Sequence, residues 1–241
     1  MIIRTKGIVF RSIKYSETSL ILDIYTEEKG LRTYITSGVR KPRARIGLST
    51  LQLMSIVDAV VYHRDDREMT RLKEARPAVV YQKIPFDIRR SSVGLFMIEV
   101  AQKSIKEKEA NPDLFRLLER YFVFLDQTEN SVRNVHLHFL LHLSTYLGFQ
   151  PGGDFEEATP YFDLSEGVFV PQLPAHQNYL DEQLSAIFYQ LLLVPLEQAY
   201  QVKIERGQRQ SLLLYLLDYY RLHLDDMQTV NAHEILQEVL N

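Results

Sequence analysis

The sequence predicts an α+β, multi-domain protein. A small closed five-stranded barrel over residues 1–80 is followed by a helical domain over residues 81–241 with a small irregular hairpin insertion. Three observations carry this reading. Short strand-like runs follow one another before Pro77 with almost no helical period among them. From about residue 91, apolar residues instead recur at three- and four-residue spacing. Formal charge also divides: residues 1–80 carry a net +6 and residues 81–241 a net −9, which the total of −3 conceals.

In chain order, Lys6–Tyr15 is a mixed apolar and basic strand. Ser19–Thr26 alternates, with Leu20, Leu22 and Ile24 on one face and Ile21, Asp23 and Tyr25 on the other. The polar segment closed by Gly30 is a hairpin signal, and Leu31–Ser37 is a third strand rich in Thr, Tyr and Ile. Thr50–His63 has period two, with Leu51, Leu53, Val57, Ala59 and Val61 sharing a face. Met69–Ala75 is a fifth strand stopped by Pro77.

The helical part opens with Ser92–Lys108, carrying Leu95, Ile98, Val100, Ala101 and Ile105. Asn111 caps the next helix, Pro112 suits its first turn, and Leu114, Leu117, Leu118, Tyr121, Phe122 and Leu125 form its buried stripe. A third helix, Val132–Leu147, stops at Gly148. Residues 148–180 are irregular and rich in Pro and Gly, with a hairpin expected from Tyr161–Leu164 and Gly167–Val170. Helices resume at Asp181–Ala199, kinked at Pro195, and at Gln208–Leu224, whose Leu/Tyr run is apolar nearly all round. A last helix starts at Asn231, with Glu234 placed for a capping box.

Composition narrows function. The chain has no cysteine, which excludes disulfides, thiolate-ligated zinc and a cysteine nucleophile. The N-terminus lacks a signal-peptide core, and the longest apolar runs, Leu191–Leu196 and Leu212–Leu217, are too short for a bilayer, so a cytoplasmic protein is expected. No GxSxG, P-loop or GxGxxG occurs.

The densest charge feature is Arg40, Lys41, Arg43 and Arg45, between the third and fourth strands. Such a loop neutralises several phosphates without a fixed base register. Arg4, Lys6, Arg11 and Lys14 add to it, with Tyr15, Tyr25 and Tyr34 as candidate stacking rings. A solvated loop with tyrosines in the core fits the same residues; the barrel's positive balance favours nucleic acid. His136, His138 and His142 lie in HLHFLLH, where the last two share a helical face at zinc-site spacing. The glutamate of HExxH is replaced there, which points to histidines packed in an apolar helix. Asp154, Glu156 and Glu157 read as a solvated acidic loop.

Several short blocks carry a family resemblance: Lys6-Gly7-Ile8-Val9-Phe10-Arg11, Tyr15-Ser16-Glu17-Thr18-Ser19, Tyr25 to Leu31, and Ser37-Gly38-Val39-Arg40-Lys41. In order and spacing they resemble the RecO family of bacterial DNA repair proteins, most densely over residues 4–45 and more loosely to Tyr146-Leu147-Gly148-Phe149 and beyond. The resemblance implies an N-terminal OB-fold, a helical C-terminal domain and a non-enzymatic recombination mediator of the RecF pathway. Such a protein binds single- and double-stranded DNA and anneals strands coated with single-stranded-DNA-binding protein (SSB). With RecR it helps to load RecA. It engages the acidic SSB tail, has RecF as a further candidate partner, uses no membrane, and is cytoplasmic and nucleoid-associated.

Many family members carry a four-cysteine zinc motif after the third helix. This chain has none, so no metal or cofactor is carried over, and segment 151–171 is expected to be held by packing alone. The expected phosphate contacts are Arg11, Lys14, Arg40, Lys41, Arg43 and Arg45. The only Lys or Arg residues after Arg133 are Lys203, Arg206, Arg209 and Arg221; the first three are the expected SSB-tail contacts. Two other functions fit the residues: an OB-type RNA-binding module with a helical interaction domain, and a metal-dependent hydrolase on the HLHFLLH face.

Overall fold

The computed structural model describes residues 1–39, 46–64, 67–106 and 108–240. Its two compact units interleave in sequence: residues 1–83 with 98–126, and residues 84–97 with 127–241. The boundary falls twice around helix α1 (Ile88–Ser104), whose first half belongs to one unit and second half to the other.

In the first unit, β1 (Ile2–Lys14), β2 (Ser19–Thr26), β3 (Gly30–Ser37), β4 (Ile56–Tyr62) and β5 (Met69–Pro77) close a barrel in the order β1-β2-β3-β5-β4. All pairs are antiparallel except β3–β5, which runs parallel from Thr33 opposite Met69 to Ile35 opposite Arg71. This is the five-stranded closure of an OB-fold. Ile3, Val9, Leu20, Leu22, Ile24, Tyr34, Val57, Ala59, Val61 and Leu72 fill the core.

A β-bulge decides where the first strand points its charge. Val9 pairs with Ile24, but the next paired residue is Arg11, opposite Asp23, leaving Phe10 as the extra residue. Ile3 and Val9 point inward, so strict alternation would send Arg11 into the core as well. The bulge inverts the phase, so Arg11 reaches the surface, while Phe10 stays buried against Tyr25.

Helix α2 (Pro112–Gln127) completes this unit. Asn111 Oδ1 accepts from the Leu114 amide at 3.0 Å, as the capping pattern predicts. Tyr25 stacks between Phe10, with centroids 5.5 Å apart, and Phe115, at 6.4 Å. Lys6 Nζ reaches Glu119 at 2.8 Å, and this bond raises the lysine pKa.

Several boundaries differ from the sequence reading. β1 begins at Ile2, and α1 runs four residues earlier than expected at both ends. Within α1, Leu95 is exposed while Phe96 and Met97 are buried. The expected strand over Thr50–His63 begins only at Ile56. Leu48–Leu51 form a 3-10 turn and Met54 has a φ of 69°, so Leu51 is buried by a turn rather than by pleat alternation, and Leu53 is exposed.

In the second unit, α3 (Val135–Tyr146) is apolar and mostly buried, and it ends at Gly148, whose φ of 88° suits a residue without Cβ. The irregular segment contains β6 (Tyr161–Asp163), β7 (Val168–Val170) and β8 (Tyr179–Leu180), in sheet order β7-β6-β8. Packing alone does not hold it. The Gly152 amide donates to the Gly167 carbonyl at 2.8 Å, and Asp163 accepts from the amides of Ser165 at 2.8 Å and Glu166 at 3.1 Å. Phe162, Phe169 and Phe188 add an aromatic cluster, with 4.3 Å between Phe162 and Phe188.

Helix α4 (Glu182–Leu193), capped by Asp181, stops rather than kinks before Pro195, and a separate 3-10 turn follows over Leu196–Gln201. Proline has no amide to continue the ladder. Helix α5 (Arg206–His223) buries Leu212, Leu213, Leu216, Leu217, Tyr219 and Tyr220 but exposes Leu214 and Leu222, so it is not buried all round. Helix α6 (Ala232–Val239) follows Asn231, which makes no side-chain cap bond. The capping-box contact occurs instead at α5, where the Glu205 amide donates to Gln208 Oε1 at 3.0 Å.

Candidate nucleic-acid interface

A groove of about 440 Å³ crosses the outer face of β2 and β3. Its walls carry Arg11, Arg32, Arg64, Arg67, Lys106 and Lys108, opposed by Asp23 and Glu68. Arg64 and Arg67 come from the β4–β5 connection, and Lys106 and Lys108 from the segment between α1 and α2. The β2–β3 face with the β4–β5 loop is where OB-folds take oligonucleotides and oligosaccharides.

Close packing brings the second segment to the barrel. Gly30, with φ 61°, closes the β2–β3 turn, and a Cβ there would lie 2.3 Å from the Glu109 carbonyl oxygen. Only glycine admits so near an approach.

Across the groove floor Arg11, Asp23 and Thr33 are register partners on β1, β2 and β3. Asp23 forms an ion pair with Arg11 Nε and accepts from Thr33 Oγ1 at 2.8 Å. Arg11 is thus half-exposed and fixed. Arg32, Arg64, Arg67 and Lys108 make no ion pair among the described residues. Among the described residues, the groove lining therefore concentrates positive charge that Asp23 and Glu68 only partly offset.

Of the expected contacts, Arg11 lies in this groove, whereas Lys14 sits exposed at the far end of β1, opposite Leu20. Arg40, Lys41, Arg43 and Arg45 lie outside the described residues. Val39, just before them, donates to the Thr18 carbonyl at 3.2 Å in the β1–β2 turn that follows Lys14. Tyr25 and Tyr34 cannot stack on bases, because both are buried; burial pushes the Tyr34 hydroxyl up to about 12. Tyr15 is exposed.

The sequence reading missed Arg32, Arg64, Arg67, Lys106 and Lys108. Arg64 and Arg67 flank Asp65 and Asp66, and the lysines alternate with Glu107 and Glu109, so local charge cancels along the chain. A sum over folded neighbours, not over sequence windows, reveals them.

In the helical unit, Arg133, Lys203 and Arg209 line an open groove of about 530 Å³ with Tyr200, Asn134 and Gln208, while Arg206 and Arg209 line a neighbouring cleft. Arg209 donates to the Ile204 carbonyl at 2.7 Å and to Asn134 Oδ1 at 3.3 Å. Its pKa is lowered, by burial first and then by Arg133. None of Arg133, Lys203, Arg206 and Arg209 forms an ion pair among the described residues.

The histidine face is structural in its contacts. His138 Nε2 donates to the Val194 carbonyl at 2.9 Å and its ring stacks on His142 at 4.2 Å. His136 is buried and edge-on to Phe96. Among the described residues, no three His, Asp or Glu side chains group as a metal site. No helix among them is long and apolar enough to cross a membrane.

Comparison with known proteins covers nearly the whole chain. The family described as Recombination protein O N terminal matches residues 1–81, and Recombination protein O C terminal matches residues 85–230. The chain is 29% identical to the DNA repair protein RecO of Phocaeicola vulgatus and 30% identical to that of Bacteroides fragilis, over the full length of both partners. It is 33% identical to the DNA repair protein RecO of Flavobacterium johnsoniae, again over both full lengths.

Proposed function

The chain belongs to the recombination protein O family of DNA repair proteins, and from this we propose a non-catalytic recombination mediator whose barrel binds DNA. In this reading residues 1–80 hold single- and double-stranded DNA, and the helical part serves protein partners. The protein anneals SSB-coated complementary strands and, with RecR, helps to load RecA.

The observation that supports the reading is the groove on β2–β3, whose lining among the described residues brings six Lys or Arg side chains together with two carboxylates. Phosphates entering it release condensed counterions, which gives affinity without sequence preference. Arg11, held outward by the bulge and oriented by Asp23, offers the remaining N–H donors of its guanidinium. Lys14, and the Arg40, Lys41, Arg43 and Arg45 run in the β3–β4 connection of the sequence, are the further phosphate contacts in this reading. Lys203, Arg206 and Arg209 take the acidic SSB tail; the absence of acidic partners among the described residues favours an incoming carboxylate there.

Annealing of complementary strands coated with the cognate SSB tests this reading. Annealing is expected to be fast with intact SSB and slow with an SSB lacking its tail. Equal rates with both would remove the tail from the mechanism, and slow annealing with both would refute the mediator role. Reversing Arg40, Lys41, Arg43 and Arg45 to Glu is expected to weaken single-strand binding and flatten its salt dependence; unchanged affinity at low salt would exclude that loop.

A further inference from the structure

Helices α3, α5 and α6 meet around a small cleft lined by His136, Arg206, Arg209, Gln210, Leu213, Leu236, Gln237 and Leu240. We propose that this cleft is a docking groove for an acidic, aliphatic-rich peptide of a partner, and that α6 is its resident occupant, which the partner displaces. The proposal rests on the assignment of Arg206 and Arg209 to tail binding, and it adds that the site is closed until α6 leaves.

Four observations support displacement. First, α6 packs through one apolar edge: Leu236 and Leu240 are buried while Ile235 is 58% exposed. A helix of eight residues is not stable by itself in water, so its order depends on this docking. Second, the connection from α5 passes through Asp226, whose φ of 60° is left-handed in a residue other than glycine. The turn there ends α5, so α6 is a separate element and not a continuation of it.

Third, α6 satisfies the groove's apolar side but not its charge. Glu234 and Glu238 are exposed, and neither pairs with Arg206 or Arg209. A competitor that places carboxylates against the two guanidinium groups gains charge-assisted bonds which α6 forgoes. Fourth, the buried His136 Nδ1 in the cleft wall has no hydrogen-bond partner. With α6 in place the cavity is only about 10 Å³, room for at most a single water molecule. A ligand with a polar group can satisfy that nitrogen only when the cleft opens.

α6 also has the composition of the ligand it stands in for. Residues 232–240 combine Glu234 and Glu238 with Ile235, Leu236, Val239 and Leu240 and contain no Lys or Arg. An acidic aliphatic segment is therefore already seated in the groove.

The test compares the full chain with a Leu236→Ala, Leu240→Ala variant, which removes the apolar anchors without adding charge to the cleft and whose fold is checked by circular dichroism. Two fluorescent probes are titrated: a peptide of this chain's residues 229–241, and the C-terminal peptide of the cognate SSB. The chain's own peptide is expected to bind the variant about tenfold or more tightly than the wild type, because the competing occupant is gone. Equal binding would overturn the resident-occupant claim. The SSB peptide is expected to show the same preference, and to accelerate amide exchange of α6 in the wild-type protein. A protected α6 at saturating SSB peptide would overturn displacement, and this readout needs no variant. Replacing Arg206 and Arg209 by Ala in the opened variant separates the two assignments. If the SSB peptide then binds unchanged, the tail-site reading fails, while the own-peptide result still decides the occupancy of the groove by α6.

Discussion

The carboxylate of Asp23 binds the Nε of Arg11 across β1 and β2, and the same carboxylate takes the Thr33 hydroxyl at 2.8 Å. This row exists because the bulge at Phe10 turns Arg11 out of the barrel core. Asp23 therefore orients Arg11 and also opposes an incoming phosphate. In the Asp23→Asn variant the second effect dominates at low salt, and single-strand affinity rises by about threefold, the size of an exposed charge interaction. Fluorescence anisotropy at low ionic strength checks this; a fall in affinity would make orientation the larger contribution.

Gly30 allows the α1–α2 segment to meet the barrel. In Gly30→Ala, the added methyl must displace the Glu109 carbonyl and occupy φ 61°. A stability loss of about 1–3 kcal/mol is expected, together with weaker DNA binding as Lys106 and Lys108 move from the groove. Urea unfolding and anisotropy on the same variant decide it: a stable variant with unchanged affinity would separate the segment from the site.

His136 makes stability depend on pH. Burial, reinforced by Arg209, lowers its pKa to about 3 from the ordinary 6.5. Between these values the unfolded chain holds a proton that the folded chain excludes. The contribution is therefore fully present above pH 6.5, and it is lost progressively as pH falls towards 3. Well below pH 6.5 the slope approaches about 1.4 kcal/mol per pH unit. Urea melts from pH 7 to pH 5 should show this slope, and His136→Leu should flatten it.

Asp163 organises the Pro- and Gly-rich segment that follows α3. The buried carboxylate accepts from the Ser165 and Glu166 amides and meets His176 at 3.2 Å. Asp163→Ala strands those donors and should cost about 1–3 kcal/mol, read as a lower urea midpoint. An unchanged midpoint would assign the segment's order to the Phe162, Phe169 and Phe188 cluster alone.

The five barrel strands, though not their pairing order, were legible because period-two alternation survives in β2 and β4, and the Asn111 cap because its signal is local. Leu48–Leu53 misled because a tight turn buried Leu51 at a spacing that imitates a strand. Arg11 was legible only as a cation. Its outward direction depends on a bulge, which a sequence does not mark when the extra residue is an apolar Phe10. The rest of the groove was hidden by distance: Arg32, Arg64, Arg67, Lys106 and Lys108 come from three chain segments, most of them flanked by acids. Tyr25 and Tyr34 illustrate the reverse error, since an aromatic in a strand is as suited to a core as to a base.

The central claim is that the β2–β3 groove carries the DNA backbone. The most direct measurement is the salt dependence of single-strand affinity in the wild type and in a variant with Arg32, Arg64, Arg67 and Lys108 reversed to Glu. Each lost phosphate contact removes about 0.7 from the slope of log K against log salt. The wild type should bind with a steep slope, and the variant should bind weakly with a slope shallower by about 3, for four contacts. Parallel slopes with equal low-salt affinity would place the DNA elsewhere and contradict the account.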